Sequence, residues 1–281
     1  MSSPFAFDIW EGIYPDFASA PATDAVLGTG EGAFEGAEWL GKMTARGERA
    51  LAEFRSGGTI PAAAHSREYP LAIVAALTPT APAPTALAPT ALAPTESAPL
   101  RVLDFGGGMA GGYAGLRASL PEGRSLAFHC VENKAVCDVG RRVFADVSDL
   151  FFHDSLDDVP GPVDIVHAGS SLQYIADWAS MLARLSRFKP RHLVLSDLPA
   201  GDIPTFVSIQ NYYERRMCHW FWNLGDMLGE LARLGYALVY RSRFEGVYLG
   251  KAGPYPMDNF PSGHRLGFSC NLILSPVSER P

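Results

Sequence analysis

The stretch that decides the fold is Arg101–Tyr113, with the sequence RVLDFGGGMAGGY. Its first five residues are typical of a buried strand, and the glycines that follow indicate a tight turn opening a helix. Gly106, Gly108 and Gly111 fit the pattern G-x-G-x-x-G. Because glycine lacks a Cβ, such a turn lets the backbone approach a ligand at the N-terminus of the helix. The stretch therefore predicts a nucleotide-cofactor loop, and a glycine-rich turn without a ligand is the alternative.

Asp104 makes the cofactor prediction more specific. It stands two residues before Gly106, at the carboxyl end of the predicted strand. A carboxylate there repels a pyrophosphate and attracts a cation. S-adenosylmethionine (SAM) carries a sulfonium and an ammonium group, so the sequence favours SAM over NAD. The predicted cofactor-binding residues of this turn are Asp104, Gly106, Gly107 and Gly108.

Composition excludes several classes of partner. The chain has 281 residues, 47% of them hydrophobic, which is enough for one substantial core. The formal net charge is -7, with 23 Lys and Arg against 30 Asp and Glu, and no basic run occurs. Nucleic acid is not an expected partner, because phosphate binding needs clustered Lys and Arg. The longest apolar runs, such as Tyr69–Leu77, are far short of the roughly 20 residues that span a bilayer, so we expect no membrane partner.

Two further expectations come from the termini and the cysteines. Residues 1–8 lack the basic and apolar regions of a secretory signal, which predicts a cytoplasmic location. The 4 cysteines and 7 histidines show no metal-ligand spacing, so we predict buried thiols and no metal site.

Three regions follow from the composition along the chain. Residues 78–99 are rich in Ala, Pro and Thr and contain the tandem repeats Ala86–Thr90 and Ala91–Thr95. Repeated prolines exclude helix and sheet, which predicts an extended tether. The tether separates an N-terminal helical lid segment, residues 1–77, from a SAM-binding domain, residues 100–281.

The N-terminal segment combines a helix with an aromatic stretch. Gly36–Phe54 has the periodicity of an amphipathic helix. Before it lie five aromatic residues interrupted by glycine and proline, which either pack on the main body or close over a cleft as a lid. They are Phe5, Phe7, Trp10, Tyr14 and Phe17.

Strands and helices alternate after residue 100, which predicts a parallel sheet covered on both faces. The predicted strands are Arg101–Phe105, Leu126–Val131, Leu150–Phe152, Val163–Ala168 and His192–Ser196, followed by a closing antiparallel pair, Ala237–Arg241 and Phe268–Leu274. The predicted helices are Tyr113–Leu120, Lys134–Phe144, Asp177–Arg187 and Leu224–Leu234, the last one capped by Asn223.

Polar residues follow four successive predicted strands, where ligands bind in open α/β sheets. After Asp104 and its glycines, Glu132 ends the second strand, positioned to accept hydrogen bonds from ribose hydroxyls, and Asn133 follows it. Asp154 and Ser155 follow the third strand and are suited to the adenine. The fourth strand leads into residues predicted to lie near the methionine part and the reacting centre, namely Ser170, Ser171, Gln173 and Tyr174.

With these motifs, the chain over roughly Arg101–Pro276 resembles the class I SAM-dependent methyltransferases. More narrowly it is similar to a bacterial methyltransferase-like family of polysaccharide and natural-product gene clusters. The resemblance implies a Rossmann-like sheet with the strand order 3-2-1-4-5-7-6 and a small-molecule substrate. The long Ala/Pro/Thr tether departs from the short connection usual in that family. The residues that carry the resemblance are Trp10–Tyr14, Leu103–Gly107, Val131–Glu132, Asp154–Ser155, Ser170–Tyr174 and Trp220–Trp222.

The acceptor side is less well defined by the sequence. Methyl transfer depends mostly on orientation and water exclusion, sometimes with a general base. His219 and Asp197 are the candidate bases, although a lone histidine is more often a packing residue. Tyr212 and Tyr213 are candidate donors or walls. The catalytic prediction names Tyr174, Gln173 and His219.

Three functions stay open at this point. The chain either transfers a methyl group from SAM to a small molecule, such as a sugar or natural-product intermediate, or cyclises SAM itself to azetidine-2-carboxylate and methylthioadenosine. The third possibility is a SAM-binding protein without catalysis, against which the intact cofactor motifs argue. The sequence leaves the acceptor and the oligomeric state open.

Overall fold

A computed structural model describes residues 8–21, 34, 36–57, 69–79, 98–212 and 215–277. Most of the predicted tether lies outside these residues, as do Phe5, Phe7 and Tyr213. The helical and strand predictions after residue 100 all fall within them.

A seven-stranded sheet forms the centre of the protein. In spatial order its strands are β10, β13, β6, β5, β2, β3 and β4. Their bounds are Leu100–Phe105 (β2), Leu126–Val131 (β3), Leu150–His153 (β4), Ile165–Gly169 (β5), His192–Leu198 (β6), Tyr236–Phe244 (β10) and Ser269–Pro276 (β13).

The strand order confirms the predicted fold. Strands β2 to β6 pair in parallel, whereas β13 is antiparallel both to β6 and to β10. Counted within this sheet, the order is 3-2-1-4-5-7-6 with one reversed strand. This is the Rossmann-like sheet of class I methyltransferases. Each predicted strand is present, with ends that shift by a few residues because strand ends depend on tertiary pairing.

Helices cover both faces of this sheet, as predicted. Their bounds are Ala37–Arg55 (α1), Tyr69–Leu77 (α2), Gly111–Ser119 (α3), Lys134–Val143 (α4), Trp178–Ser186 (α5) and Leu224–Arg233 (α6). Successive strand residues point to opposite faces. Val102 therefore packs in the core under α1 to α4, and Leu103 packs in the core under α5 and α6. Asn223 caps α6, since its Oδ1 accepts hydrogen bonds from the backbone N–H of Gly225 and Asp226.

A second sheet was not predicted from the sequence. Its strands lie in the order β1, β8, β9 and β7, where β1 is Trp10–Tyr14, β7 is Ala200–Gly201, β8 is Phe206–Tyr212 and β9 is Arg215–Asn223. Strand β9 is buried from Met217 to Trp222 without alternation, so it carries no period of two that would mark a half-exposed strand. A short hairpin of Val247–Tyr248 (β11) and Lys251–Ala252 (β12) follows β10.

The N-terminal residues that the structure describes, from Asp8 onwards, are integrated into the body of the protein. Strand β1 pairs antiparallel with β8, and Trp10 aligns with Gln210. Helices α1 and α2 both contact α3, the helix that follows the glycine turn. Helix α1 confirms the predicted Gly36–Phe54 within one residue at each end. Helix α2 was missed because it is apolar on all sides and has no helical period. No helix among the described residues is long and apolar enough to cross a bilayer.

Candidate functional site

The carboxyl ends of the central strands open into one cavity of 1490 Å³. Every residue predicted to bind the cofactor or to act in catalysis lines it, although these residues come from strands and turns spread over more than a hundred positions. They are Asp104, Gly106, Gly107, Gly108, Glu132, Asn133, Asp154, Ser155, Ser170, Gln173, Tyr174 and His219. The structure thus brings the predicted set together, while the role of each residue remains a prediction.

Asp104 is buried at the end of β2, and a neighbouring histidine holds it. Its Oδ1 lies 2.7 Å from Nδ1 of His167 on β5. The Nε2 atom of the same ring lies 3.1 Å from Oγ of Ser196 on β6. All three side chains are almost fully buried. Because a carboxylate only accepts hydrogen bonds, Nδ1 of His167 carries the hydrogen in this pair.

The glycine turn lies directly against this carboxylate. A Cβ at Gly107 would stand 2.5 Å from Oδ2 of Asp104, which is closer than any side chain tolerates. Gly106 has a φ of +69° and leaves similarly little space beside Ser171. The turn therefore depends on glycine both for its conformation and for the approach of its backbone to Asp104.

Glu132 directly follows β3, and its carboxylate connects the glycine turn to the end of this neighbouring strand. Its Oε1 accepts a hydrogen bond from the backbone N–H of Gly108 at 3.1 Å, and its Oε2 accepts one from the N–H of Asn133 at 2.8 Å. Burial raises the pKa of the Glu132 carboxyl above its usual range, against the opposing effect of these two hydrogen bonds. Oε2 also accepts from Nδ2 of Asn133 at 3.3 Å, so the acceptor site that is left for a hydroxyl donor lies on Oε1.

Asn133, Asp154 and Ser155 stabilise local structure at the edge of the cavity. The Oδ1 atom of Asn133 accepts from the N–H of Val136 and caps α4. The Ser155 hydroxyl caps the 3₁₀ turn Leu156–Asp158. Asp154 is exposed, with Oδ2 at 3.9 Å from the Arg141 guanidinium. These side chains have structural functions already, so any contact with a cofactor is additional to them.

The segment after β5 has a strained backbone. Ser170 has a φ of +55°, an uncommon conformation for a residue with a Cβ. Its hydroxyl accepts a hydrogen bond from Nε2 of Gln173 at 2.9 Å. Asp197, at the end of β6, is likewise strained, with a φ of +50°. Strain of this kind persists where the surrounding structure imposes it, and it is concentrated at ligand sites.

Tyr174 and His219 stand where the 3₁₀ turn Leu172–Tyr174 meets the second sheet. The Tyr174 hydroxyl donates to Oε1 of Gln210 at 2.9 Å. The His219 ring lies edge-on to the ring of Tyr174, with centroids 5.5 Å apart. Burial lowers the pKa of His219 to about 3, so its imidazole is uncharged at neutral pH. A neutral imidazole with so low a pKa is a weak base, which leaves orientation as its available role.

The sequence missed several residues of this site. His167 lies within a predicted strand. Its position as a polar residue in an otherwise apolar strand was the signal that could have identified it as a site residue. Gln210 lies on the unpredicted strand β8, Tyr248 ends the short strand β11, and Tyr255 lies in the loop after β12; all three line the cavity. The predicted buried thiols are confirmed, since all four cysteines are free and buried.

These residues fit a cationic nucleoside such as SAM. Two carboxylates, Asp104 and Glu132, flank a turn in which an added Cβ at Gly107 would meet Asp104. A cation is attracted by such a pair, and hydroxyl groups find acceptors on Glu132. The same two carboxylates would repel a pyrophosphate.

Comparisons with known proteins return similar folds only. No protein-family model and no curated protein matches the chain. The 1,6-didemethyltoxoflavin-N1-methyltransferase of Burkholderia thailandensis is 13% identical, with a TM-score of 0.49 over 99% of this chain and 100% of that one. The magnesium protoporphyrin IX methyltransferase of Synechocystis PCC 6803 is 14% identical, with a TM-score of 0.44 over 64% and 75% of the two chains. These identities and TM-scores are too low to assign a residue role or a substrate to this chain. The fold assignment therefore rests on the strand order.

Proposed function

We propose that the protein binds SAM at the glycine turn and transfers its methyl group to a small-molecule acceptor. The observation that carries this proposal is the pair of carboxylates, Asp104 and Glu132, on neighbouring parallel strands with the glycine turn between them. Opposite charges a few ångströms apart attract strongly where water is displaced, so this pair favours a cationic cofactor.

The residues of the turn bind and orient the cofactor in this proposal. Glu132 accepts hydrogen bonds from the ribose hydroxyls, and Asp104 attracts the cationic methionine end. Ser170 and Gln173 border the methionine end, and Asp154 and Ser155 border the adenine. Bound SAM supplies an electrophilic methyl group on a sulfonium.

The remaining side chains hold the acceptor and exclude water. In the transfer a bond forms between the nucleophilic atom of the acceptor and the methyl carbon, and the carbon–sulfur bond breaks, with its electron pair remaining on sulfur. The acceptor must lie in line with that bond, which Tyr174 and the second sheet enforce by shape. Because the lowered pKa makes His219 a weak base, the proton of the acceptor is released to solvent and is not held by this imidazole.

Calorimetric titration of the full-length protein with SAM, S-adenosylhomocysteine (SAH) and NAD tests the cofactor assignment. We expect micromolar binding of SAM and SAH and none of NAD. In Asp104→Asn the fold should persist while SAM binding weakens more than SAH binding, because only SAM carries the sulfonium charge. Tight binding of NAD without binding of SAM would overturn the proposal.

A further inference from the structure

Five aromatic side chains wall the end of the cavity that lies against the second sheet. The ring centroid of Trp10 is 5.0 Å from that of Tyr255, 5.6 Å from that of Tyr248 and 5.7 Å from that of His219. The Tyr174 ring meets His219 on the other side at 5.5 Å. All five line the cavity. We call these residues, Trp10, Tyr174, His219, Tyr248 and Tyr255, the aromatic pocket.

The aromatic pocket adjoins the proposed cofactor site. The turn Leu172–Tyr174 connects the aromatic pocket to the cofactor site, because one of two consecutive residues in this turn contacts each of them. The Gln173 side chain donates to Ser170, at the end of β5. The Tyr174 hydroxyl donates to Gln210, on β8 of the second sheet. A molecule in the aromatic pocket would therefore lie next to the methyl group of a cofactor at the glycine turn.

The charged side chains that line the cavity at the aromatic pocket are carboxylates. The imidazole of His219 is uncharged, since burial lowers its pKa to about 3. The Asp197 carboxylate accepts a hydrogen bond from Ser269 at 2.7 Å and lines the cavity. Glu245 lines it as well and lies 3.7 Å from the guanidinium of Arg243, which is not a lining residue. Among the described residues, the basic side chains that line the cavity come only from α1 and α5. Arg46 and Arg49 lie on α1, which packs against α3 and α4. Arg184 lies on α5 and pairs with Asp157, which follows the residues that are predicted to bind the adenine.

Given methyl transfer at this site, we propose that the aromatic pocket binds the acceptor and that the acceptor is a planar aromatic or heteroaromatic ring without negative charge. The rings pack directly on one another at centroid distances of 5.0 to 5.7 Å and form a continuous aromatic wall, and a flat ring can stack on the side of this wall that faces the cavity. A carboxylate or phosphate on that ring would face Asp197 and Glu245, whereas the arginines among the described lining residues belong to α1 and α5. The proton-bearing oxygen or nitrogen of the ring is the atom that is methylated.

The lining argues against a sugar, although sugar rings also stack on aromatic side chains. A sugar needs several polar partners for its hydroxyl groups. Asn211 is a polar residue at this end of the cavity, and its amide already donates to the backbone of Asp8 and to Glu11. Gln210 accepts from Tyr174. The two amides at this end are thus engaged with the protein itself. Nε1 of Trp10 and Nδ1 of His219 are buried without a partner among the described residues, and two such single atoms are fewer than the hydroxyl groups of a sugar require.

Two probes with the same ring test the proposal. We would titrate the SAH-saturated protein with 5-hydroxyindole and with indole-5-carboxylate, and with methyl glucoside as a sugar control, and follow binding by ligand-observed NMR. We expect 5-hydroxyindole to bind at least about tenfold more tightly than either of the others, which corresponds to about 1.4 kcal/mol. Asp197→Asn removes a negative charge with little change in shape, so it should reduce the preference over the carboxylate severalfold.

Variants separate the pocket from the cofactor site. Tyr248→Leu should weaken 5-hydroxyindole binding at least about fivefold while SAH affinity stays within twofold, because Tyr248 lies outside the glycine turn. Tyr240→Leu is the matched control, since Tyr240 is 51% exposed on the edge strand β10 and should change neither affinity.

Each outcome decides one of the two proposals. Equal or tighter binding of indole-5-carboxylate, binding of the glucoside alone, or no probe binding to a protein that binds SAH would overturn the aromatic acceptor. Failure to bind SAH would overturn the proposed function instead, and the probes titrated without SAH would then test the aromatic pocket by itself.

Discussion

Oδ1 of Asp104 and Nδ1 of His167 lie 2.7 Å apart, although 63 residues separate them along the chain. Strands β2 and β5 pair in parallel with Asp104 directly opposite His167, so the sheet register produces the contact. The hydrogen bond fixes one oxygen of the carboxylate and leaves the other against the glycine turn. The charge that is proposed to attract the cofactor is thus oriented by a histidine of the neighbouring strand.

The first prediction concerns this pair. His167→Leu removes the hydrogen-bond donor to the buried Asp104 carboxylate. The loss should lower the free energy of unfolding by about 1.5–3 kcal/mol and weaken SAM binding about tenfold. His167→Asn places an amide donor near the position of Nδ1 and should recover much of both losses. Denaturant unfolding and calorimetry measure the two quantities. Equal behaviour of the two variants would show that the ring acts only by filling space.

The second prediction compares two glycines. Gly107→Ala would place its Cβ 2.5 Å from Oδ2 of Asp104, so the turn must shift and SAM binding should weaken at least about tenfold. The control is Gly229→Ala in α6, where nothing lies within 4 Å of an added Cβ. That variant should leave binding unchanged and gain up to about 1 kcal/mol of stability from helix propensity. If Gly107→Ala bound SAM normally, the close approach to Asp104 would have no role in binding.

The third prediction is a pH dependence. Ribose hydroxyls donate to the ionised form of Glu132, and burial raises the pKa of this carboxyl above the usual 4.5. SAM affinity should therefore fall as the pH decreases through this raised pKa, at a higher pH than for an exposed glutamate. Glu132→Gln should bind at least about tenfold more weakly at neutral pH and lose this dependence. Calorimetric titration with SAM from pH 5 upwards tests this prediction. If Glu132→Gln bound SAM with unchanged affinity, the role of Glu132 would be purely structural.

The fourth prediction concerns the N-terminal strand. Trp10 is 2% exposed and contacts several rings of the aromatic pocket, whereas Ile13 on the same strand is 38% exposed. Trp10→Ala should cost about 3–5 kcal/mol of unfolding free energy, and Ile13→Ala at most about 0.5 kcal/mol. The pairing of β1 with β8 also implies that deletion of residues 1–17 destabilises the protein, in addition to any effect on turnover. A truncation with unchanged thermal unfolding would contradict this structural role.

The fifth prediction separates methyl transfer from cyclisation. Purified protein incubated with SAM alone should leave the cofactor nearly intact, because the methyl group has no acceptor. A cyclase would release methylthioadenosine together with azetidine-2-carboxylate, as the amino nitrogen displaces sulfur at its own γ-carbon. Chromatography of the products distinguishes the two, with heat-denatured protein as the control. Methylthioadenosine above that background, lost in Tyr174→Ala, would favour cyclisation.

The sequence by itself determined the main sheet and the cofactor turn. Arg101–Tyr113 carries a buried strand, a carboxylate and glycines within thirteen consecutive positions, so its conformation follows from local chemistry. Strands such as Leu126–Val131 were predicted with correct bounds because apolar runs between helical periods are local signals. The order of the strands was implied only by the resemblance to a known family, and the pairings confirm it.

Only the tertiary structure decided how distant residues meet. Strand β1 pairs with β8, about two hundred positions away, and the contact between Trp10 and His219 depends on that pairing. No local pattern specifies it, because β8 and β9 are buried on both faces and carry no alternation to mark a register. The partnership of Asp104 with His167 likewise requires two strands to align in one register. The cofactor turn could be predicted because its parts are adjacent in the chain, whereas the aromatic pocket forms only where the second sheet meets the β11–β12 hairpin, the loop after it and the turn after β5.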